Sequence, residues 1–221
     1  LYIVGPRGIK RALSAMMVLW ESLPYRLVVI EKPVGSFSIN SDVLREIEIS
    51  SLDLDHSTEC LGYSLYFKRN REFDPDKALE NQVPKRLWRH LQAGQTFYID
   101  DISYTPDMVL GKPRPGIKFS YITDTRPIEA IIPFIKSSRL FVCEAMYGDD
   151  LDIGKAVKNK HMTFREAANL AYKGQVDHLL LTHFSPSLDS PGDYIENATS
   201  VFKNTSLAYD GINISIGYPD K

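Results

Sequence analysis

Apolar residues recur along this chain with two different periods. Short alternating or continuous runs rich in β-branched and aromatic residues predict strands at 1–4 (LYIV), 26–31 (RLVVIE), 61–67 (LGYSLYF), 117–122 (IKFSYI), 139–145 (RLFVCEA) and 178–183 (HLLLTH). A further strand is expected over 45–55, with Ile47, Ile49, Leu52 and Leu54 as its apolar set, and terminal ones at 207–209 and 212–216. Helical spacing places Ile9, Leu13, Met16, Met17, Trp20 and Leu23 on one broad face after the turn GPRG. Further helices are expected from about Pro127, over 163–174 and over 194–204. Strands alternating with helices predict an α/β fold with helix-covered sheets. Residues 68–96 break the rhythm with many charges, two prolines and little that would bury on both sides, and read as an arm inserted in a single domain spanning 1–221.

Polar residues interrupt this pattern at strand ends. His56 closes IEISSLDLDH, Asp124 closes IKFSYITD, Glu144 follows RLFVC, His183 closes HLLLTH, and His161 lies just before a helix in NKHMTF. Strand termini at one rim of a sheet are where reactive groups converge in α/β proteins. Asp124 poses the sharpest question, because desolvating a carboxylate at a strand end requires a partner. Arg126 answers it structurally; a divalent cation sharing imidazole and carboxylate donors answers it functionally. Spacing alone leaves both open.

Composition narrows the class. The chain has 221 residues, 43% hydrophobic and 24% charged, enough for one sizeable core. No apolar run approaches the ~20 residues of a bilayer span, and LYIVGPRGIK lacks the order of a signal peptide, so a soluble, cytoplasmic protein with no membrane partner is expected. Cys60 and Cys143 sit in apolar surroundings and suggest neither a disulfide framework nor a thiolate zinc site. A net charge of −2 does not advertise nucleic-acid binding, so any such partner needs a local patch. The arm supplies one: from Lys68 to His90 seven Lys/Arg (68, 69, 71, 77, 85, 86, 89) face four acids (72, 74, 76, 80). Lys112, Arg114 and Lys118 form a second basic cluster. Trp88 and Phe73 either stack on a ligand or pack the arm's own core.

The segments GPRG, DHSTECLGYSL, SYITDTRP, LFVCEAMYGDD, KHMTFREAANLA and LLLTHFSPSL, in this order, resemble the ribonuclease Z family of the metallo-β-lactamase fold, which trims precursor tRNA at its 3′ end. The resemblance implies an αββα sandwich using two divalent metal ions of the zinc type. His56 and His183 would be terminal ligands of one ion each, Asp124 would bridge them, and His161 with Glu144 would handle the proton. It also implies a homodimer, for which the helix near Met16, Met17 and Trp20 is one candidate interface, core packing being the other. The cations Lys68, Arg69, Arg71, Lys85, Arg86 and Arg89 would contact tRNA from the arm. Two departures stand out. The family's His-x-His-x-Asp-His segment is not in the sequence, and with no Met at its start and a strand at its first residue the chain reads as N-terminally truncated, lacking the first strands and inactive by itself. The arm also has Lys85 and Arg86 between Pro84 and Leu87 where the family has a Gly-Pro pair.

Hydrolysis of an RNA phosphodiester by metal-activated water is the reaction so implied. Two alternatives are a same-fold phosphodiesterase of small substrates, which has no need of a basic arm, and a non-catalytic RNA-binding module without working metals.

Overall fold

The computed structural model describes residues 1–18, 23–32, 35–37, 39 and 47–218. In chain order the elements are β1 (Tyr2–Gly5), α1 (Ile9–Met17), β2 (Val28–Glu31), β3 (Gly35–Phe37), β4 (Ile47–Asp53), β5 (Leu61–Arg69), α2 (Pro75–Glu80), α3 (Trp88–Gln92), β6 (Phe97–Ile99) and β7 (Ile102–Tyr104). They continue with β8 (Arg114–Ile122), α4 (Ile131–Ile135), β9 (Leu140–Glu144), α5 (Ile153–Asn159), α6 (Phe164–Gly174), β10 (Leu179–Thr182), α7 (Ile195–Thr199) and β11 (Thr205–Leu207). Among the described residues the main sheet has the order β11-β10-β9-β8-β5-β4-β3, and β1 pairs with β2 in a second, parallel sheet. Strands β8, β9, β10 and β11 run parallel, whereas β3, β4 and β5 form an antiparallel meander.

The continuous apolar runs of β9 and β10 are explained by burial on both faces. Phe141, Cys143, Leu179 and Leu181 pack with Ile131 and Ile135 of α4, with Phe164, Ala167, Ala168 and Ala171 of α6, and with Ala198 of α7. The alternate residues Leu140, Val142 and Leu180 form a separate cluster with Phe119, Ala208, Ile212, Ile214 and Ile216. Each fully buried Leu, Ile or Phe stabilises the fold by roughly 1.5–3 kcal/mol. Helix α6 meets α4 closely at Gly174, where a Cβ would lie 2.6 Å from Ile135 Cγ1. Its N-terminus is held by a capping box in which Thr163 accepts from the Glu166 amide and Glu166 accepts from the Thr163 amide.

Several expectations change. The segment 212–216 forms no strand; its alternating isoleucines are satisfied by packing on the sheet rather than by pairing. Helix α4 starts at Ile131, not Pro127, because the preceding turn closes through i+3 bonds such as Ile131 N to Ile128 O, 3.0 Å. Helix α5 was not foreseen. Helix α1 buries none of its residues, and Met16 is 60% exposed; Trp20, part of the same expected apolar face, lies outside the described residues.

By compactness the chain divides into one unit of Leu1–Phe67 with Ile117–Tyr218 and another of Lys68–Gly116. The second unit runs on to Gly116 where the sequence pattern ends the arm near residue 96, because the β6–β7 hairpin and the turn after it supply part of its interior. That interior consists of Ala78, Val83, Leu87, Leu91, Tyr104, Val109 and Leu110, with Phe73 and Trp88 packed against it. The arm therefore buries more than its charge pattern suggests. Trp88 Nε1 donates to the Val83 carbonyl at 2.9 Å, and its ring centre lies 5.1 Å from that of Phe73. Both aromatics pack the arm's core.

Candidate metal centre

Four loops that follow β4, β8, β9 and β10 bring the expected residues together with the loop between α5 and α6. Among the described residues, His56, Asp124 and His161 place one ligand atom each within 4.8 Å of one another. His183 joins them, its Nε2 3.1 Å from Asp124 Oδ1. The His161 ring centre lies 5.0 Å from that of His56 and 5.5 Å from that of His183. Asp124 and His183 both adopt left-handed backbone, at φ 52° and 59°. Residues other than glycine take that conformation less readily, aspartate and histidine being among the more tolerant, and at both positions it turns the chain sharply as it leaves the strand.

Two of the imidazoles, those of His56 and His161, are each held through Nδ1. His56 Nδ1 donates to the Lys160 carbonyl at 3.1 Å, which leaves Nε2 with its lone pair toward the cluster. Lys160, itself left-handed at φ 58°, also reaches back with Nζ to Asp55 Oδ1 at 2.6 Å. His161 Nδ1 donates to Glu144 Oε1 at 2.9 Å. Glu144 is fully buried and accepts further bonds from the backbone amides of Thr125 (2.7 Å), Met162 (3.1 Å) and Met146 (3.4 Å). With both oxygens engaged, this carboxylate orients His161 and is not offered to a cation.

Arg126 does not neutralise Asp124. Its guanidinium forks onto the carboxylate of Glu166 and also donates to the His161 carbonyl. Its amide is bonded to the Asp55 carbonyl at 3.0 Å. The Asp124 carboxylate therefore faces imidazoles, the donor set that suits a borderline divalent cation, and the residues present fit such an ion. Cys60 lies nearby but is not a ligand candidate: burial, and then the Asp124 charge, push its thiol above the usual range, and its Sγ donates to the Thr123 carbonyl at 3.4 Å.

The arm's cations divide. Arg71 donates to the Gly111 carbonyl (2.6 Å), to the Leu110 carbonyl (3.0 Å) and to Asp107. Arg114 pairs with Glu72 and bonds the Asn70 carbonyl. These side chains tie the arm's two chain ends. Lys85, Arg86 and Arg89 are exposed on the turn and helix α3, with Lys85 Nζ 5.9 Å from the Trp88 ring centre. Lys68, exposed, and Arg69, half-buried, end β5.

The sequence pattern did not single out Lys160, Thr125 or Glu166. Only Glu166 carried a local signal, the Thr163-x-x-Glu166 spacing of a capping box.

No family model matches the chain. It is 60% identical over 220 residues to the ribonuclease Z of Clostridioides difficile (strain 630), a match covering 100% of this chain and 72% of that protein. The chain belongs to the ribonuclease Z family. The ribonuclease Z of Clostridium beijerinckii is 47% identical over 218 residues, 98% of this chain and 71% of that protein. Among solved structures, the short form of human tRNase Z superposes with a TM-score of 0.61 at 18% identity, covering 98% of this chain and 68% of that one. The metallo-β-lactamase fold protein YhfI from Bacillus subtilis gives 0.58 at 16% identity, covering 96% of this chain and 64% of that one. These likenesses show the fold, which is that of the metallo-β-lactamases. Ribonuclease Z membership and the histidine and carboxylate cluster agree with divalent metal use. No helix among the described residues is long and apolar enough to cross a membrane.

Proposed function

We propose that this chain acts in a metal-dependent endoribonuclease that hydrolyses a phosphodiester at the 3′ end of precursor tRNA. The observation that carries the reading is the convergence of His56, Asp124, His161 and His183 in a chain 60% identical to a ribonuclease Z. His56 and His183 would hold one divalent ion each, of the zinc type, and Asp124 would lie between them. Bound metal supplies Lewis acidity toward the scissile phosphate and activates water at neutral pH.

The chain's own residues set the rest of the chemistry. Glu144 fixes the His161 ring, so that Nε2 faces the reacting atoms and delivers a proton to the departing 3′ oxygen, a contribution of order 10²–10⁴ in rate. Lys160 fixes His56 in the tautomer whose Nε2 is free to ligate. The arm contributes affinity: Lys85, Arg86 and Arg89 face solvent and suit phosphate contacts, with Lys68 and Arg69 at its entry, while Arg71 is already engaged in holding the arm together. The working form is a cytoplasmic homodimer, and the exposed Met16 of α1 and Val18 just beyond it support an interface there.

Chelation of the intact protein, followed by zinc restoration, tests the reading with precursor tRNA as substrate. Cleavage should disappear and return. Cleavage that survives complete metal removal would refute it.

A further inference from the structure

Arg126 stands two residues beyond Asp124, yet its side chain serves another loop. The guanidinium engages both oxygens of Glu166, at 2.9 Å from Nη1 to Oε2 and by a second bond from Nη2 to Oε1, and Nη1 also donates to the His161 carbonyl. The two side chains are only 16% and 20% exposed. A bidentate, mostly buried pair of this kind is far less screened than a surface ion pair. Glu166 is itself fixed, because its carboxylate accepts from the Thr163 amide at 3.0 Å in the cap of α6. Through its backbone amide the same arginine is bonded to Asp55, next to His56. One residue thus joins three loops, those carrying His56, Asp124 and His161.

We propose that Arg126 is a positioning residue for His161, locking the loop that presents the imidazole to the loop that presents Asp124. This rests on the assignment of His161 to proton handling. The fork geometry explains the choice of residue: a lysine ammonium can keep the charge but cannot meet a carboxylate bidentately and a carbonyl from one rigid plane. Glu144 sets the orientation of the His161 ring, and Arg126 sets where its backbone stands. Contact between Arg126 and a substrate phosphate would require the Glu166 pair to open, so the folded geometry favours positioning over substrate binding. Misplacement of a reacting group by about 1 Å costs on the order of 10²-fold in rate.

The test uses the intact, zinc-loaded protein and two substrates with different leaving groups. Precursor tRNA loses a ribose 3′ oxygen that must be protonated, whereas bis(p-nitrophenyl) phosphate loses a stable phenolate. Arg126→Met should lower kcat on precursor tRNA about 10–100-fold and change the activated ester by less than about threefold, with KM for the precursor and zinc per chain unchanged. His161→Ala should show the same selectivity, and Arg126→Lys should recover part of the loss. Equal losses on both substrates, a rise in KM alone, or loss of zinc in Arg126→Met would overturn the inference while a selective His161→Ala left the proton-handling assignment standing. Equal losses in His161→Ala would overturn that assignment and the inference with it. Should Arg126→Met fail to fold, Glu166→Gln, which keeps an oxygen for the cap and weakens the pairing, carries the same comparison, and an unselective loss there counts against the proposal.

Discussion

Replacing Glu144 by glutamine changes one oxygen into an NH2 group at a fully buried position. Glu144 Oε1 now accepts from Thr125 N at 2.7 Å and His161 Nδ1 at 2.9 Å, and Oε2 from Met162 N at 3.1 Å and Met146 N at 3.4 Å. A glutamine has one acceptor oxygen to divide between these two pairs. If the oxygen faces Thr125 and His161, the NH2 is set against the Met162 amide, donor against donor at a fully buried position. Leaving a buried donor unsatisfied costs about 1–3 kcal/mol, and the charge-assisted bonds that remain are weakened as well. If the amide flips, His161 can accept through Nδ1, but then its proton moves to Nε2 and the Thr125 amide is orphaned. Both arrangements predict that Glu144→Gln loses about 1–3 kcal/mol of stability and at least about tenfold in precursor turnover, with bound zinc retained. Urea denaturation, steady-state kinetics and metal analysis of the same preparation measure the three quantities. A variant with unaltered midpoint and turnover would refute the argument that this carboxylate is a saturated hydrogen-bond acceptor. Loss of zinc would show that it is a ligand.

The arm prediction follows from which cations are already engaged: Lys85, Arg86 and Arg89 changed together to Ala should weaken precursor binding and lower the slope of log affinity against log salt by about 2–3, since each phosphate contact contributes roughly 0.7–0.9. An unchanged slope in a filter-binding titration would place the phosphate contacts elsewhere. His178 gives a pH prediction. Burial holds its imidazole below the ordinary value of 6.5, and Nε2 lies 2.7 Å from Ser206 Oγ. The folded state therefore binds this proton less readily than the unfolded chain, and the stability so contributed is full above 6.5 and lost as pH falls through that value and below it. His178→Gln should flatten that acid-side decline in denaturation midpoint between about pH 7 and 5; an identical decline would assign it to other groups.

Local pattern determined much of this protein. Continuous apolar runs such as RLFVC and HLLLT specify buried parallel strands because neither face meets water, and the polar residues that end them, Glu144 and His183, stand where α/β sheets place their reactive groups. The residue types at 56, 124, 161 and 183 were legible for the same reason, together with the family resemblance they carry. What the sequence could not determine was partnership. Asp124 and Arg126 are two residues apart, and their spacing left an ion pair between them open, yet Arg126 bonds Glu166, 40 residues away, and the His56 ring is aimed by a carbonyl 104 residues distant. Helix α5 and the arm's interior escaped for a related reason: α5 buries only Ala156 within its own span, and the arm's core draws on Tyr104, Val109 and Leu110 well past its charged stretch. Periodicity encodes which face of an element is apolar. Only tertiary packing decides which polar groups, brought together from distant strands and shielded from water, must satisfy one another.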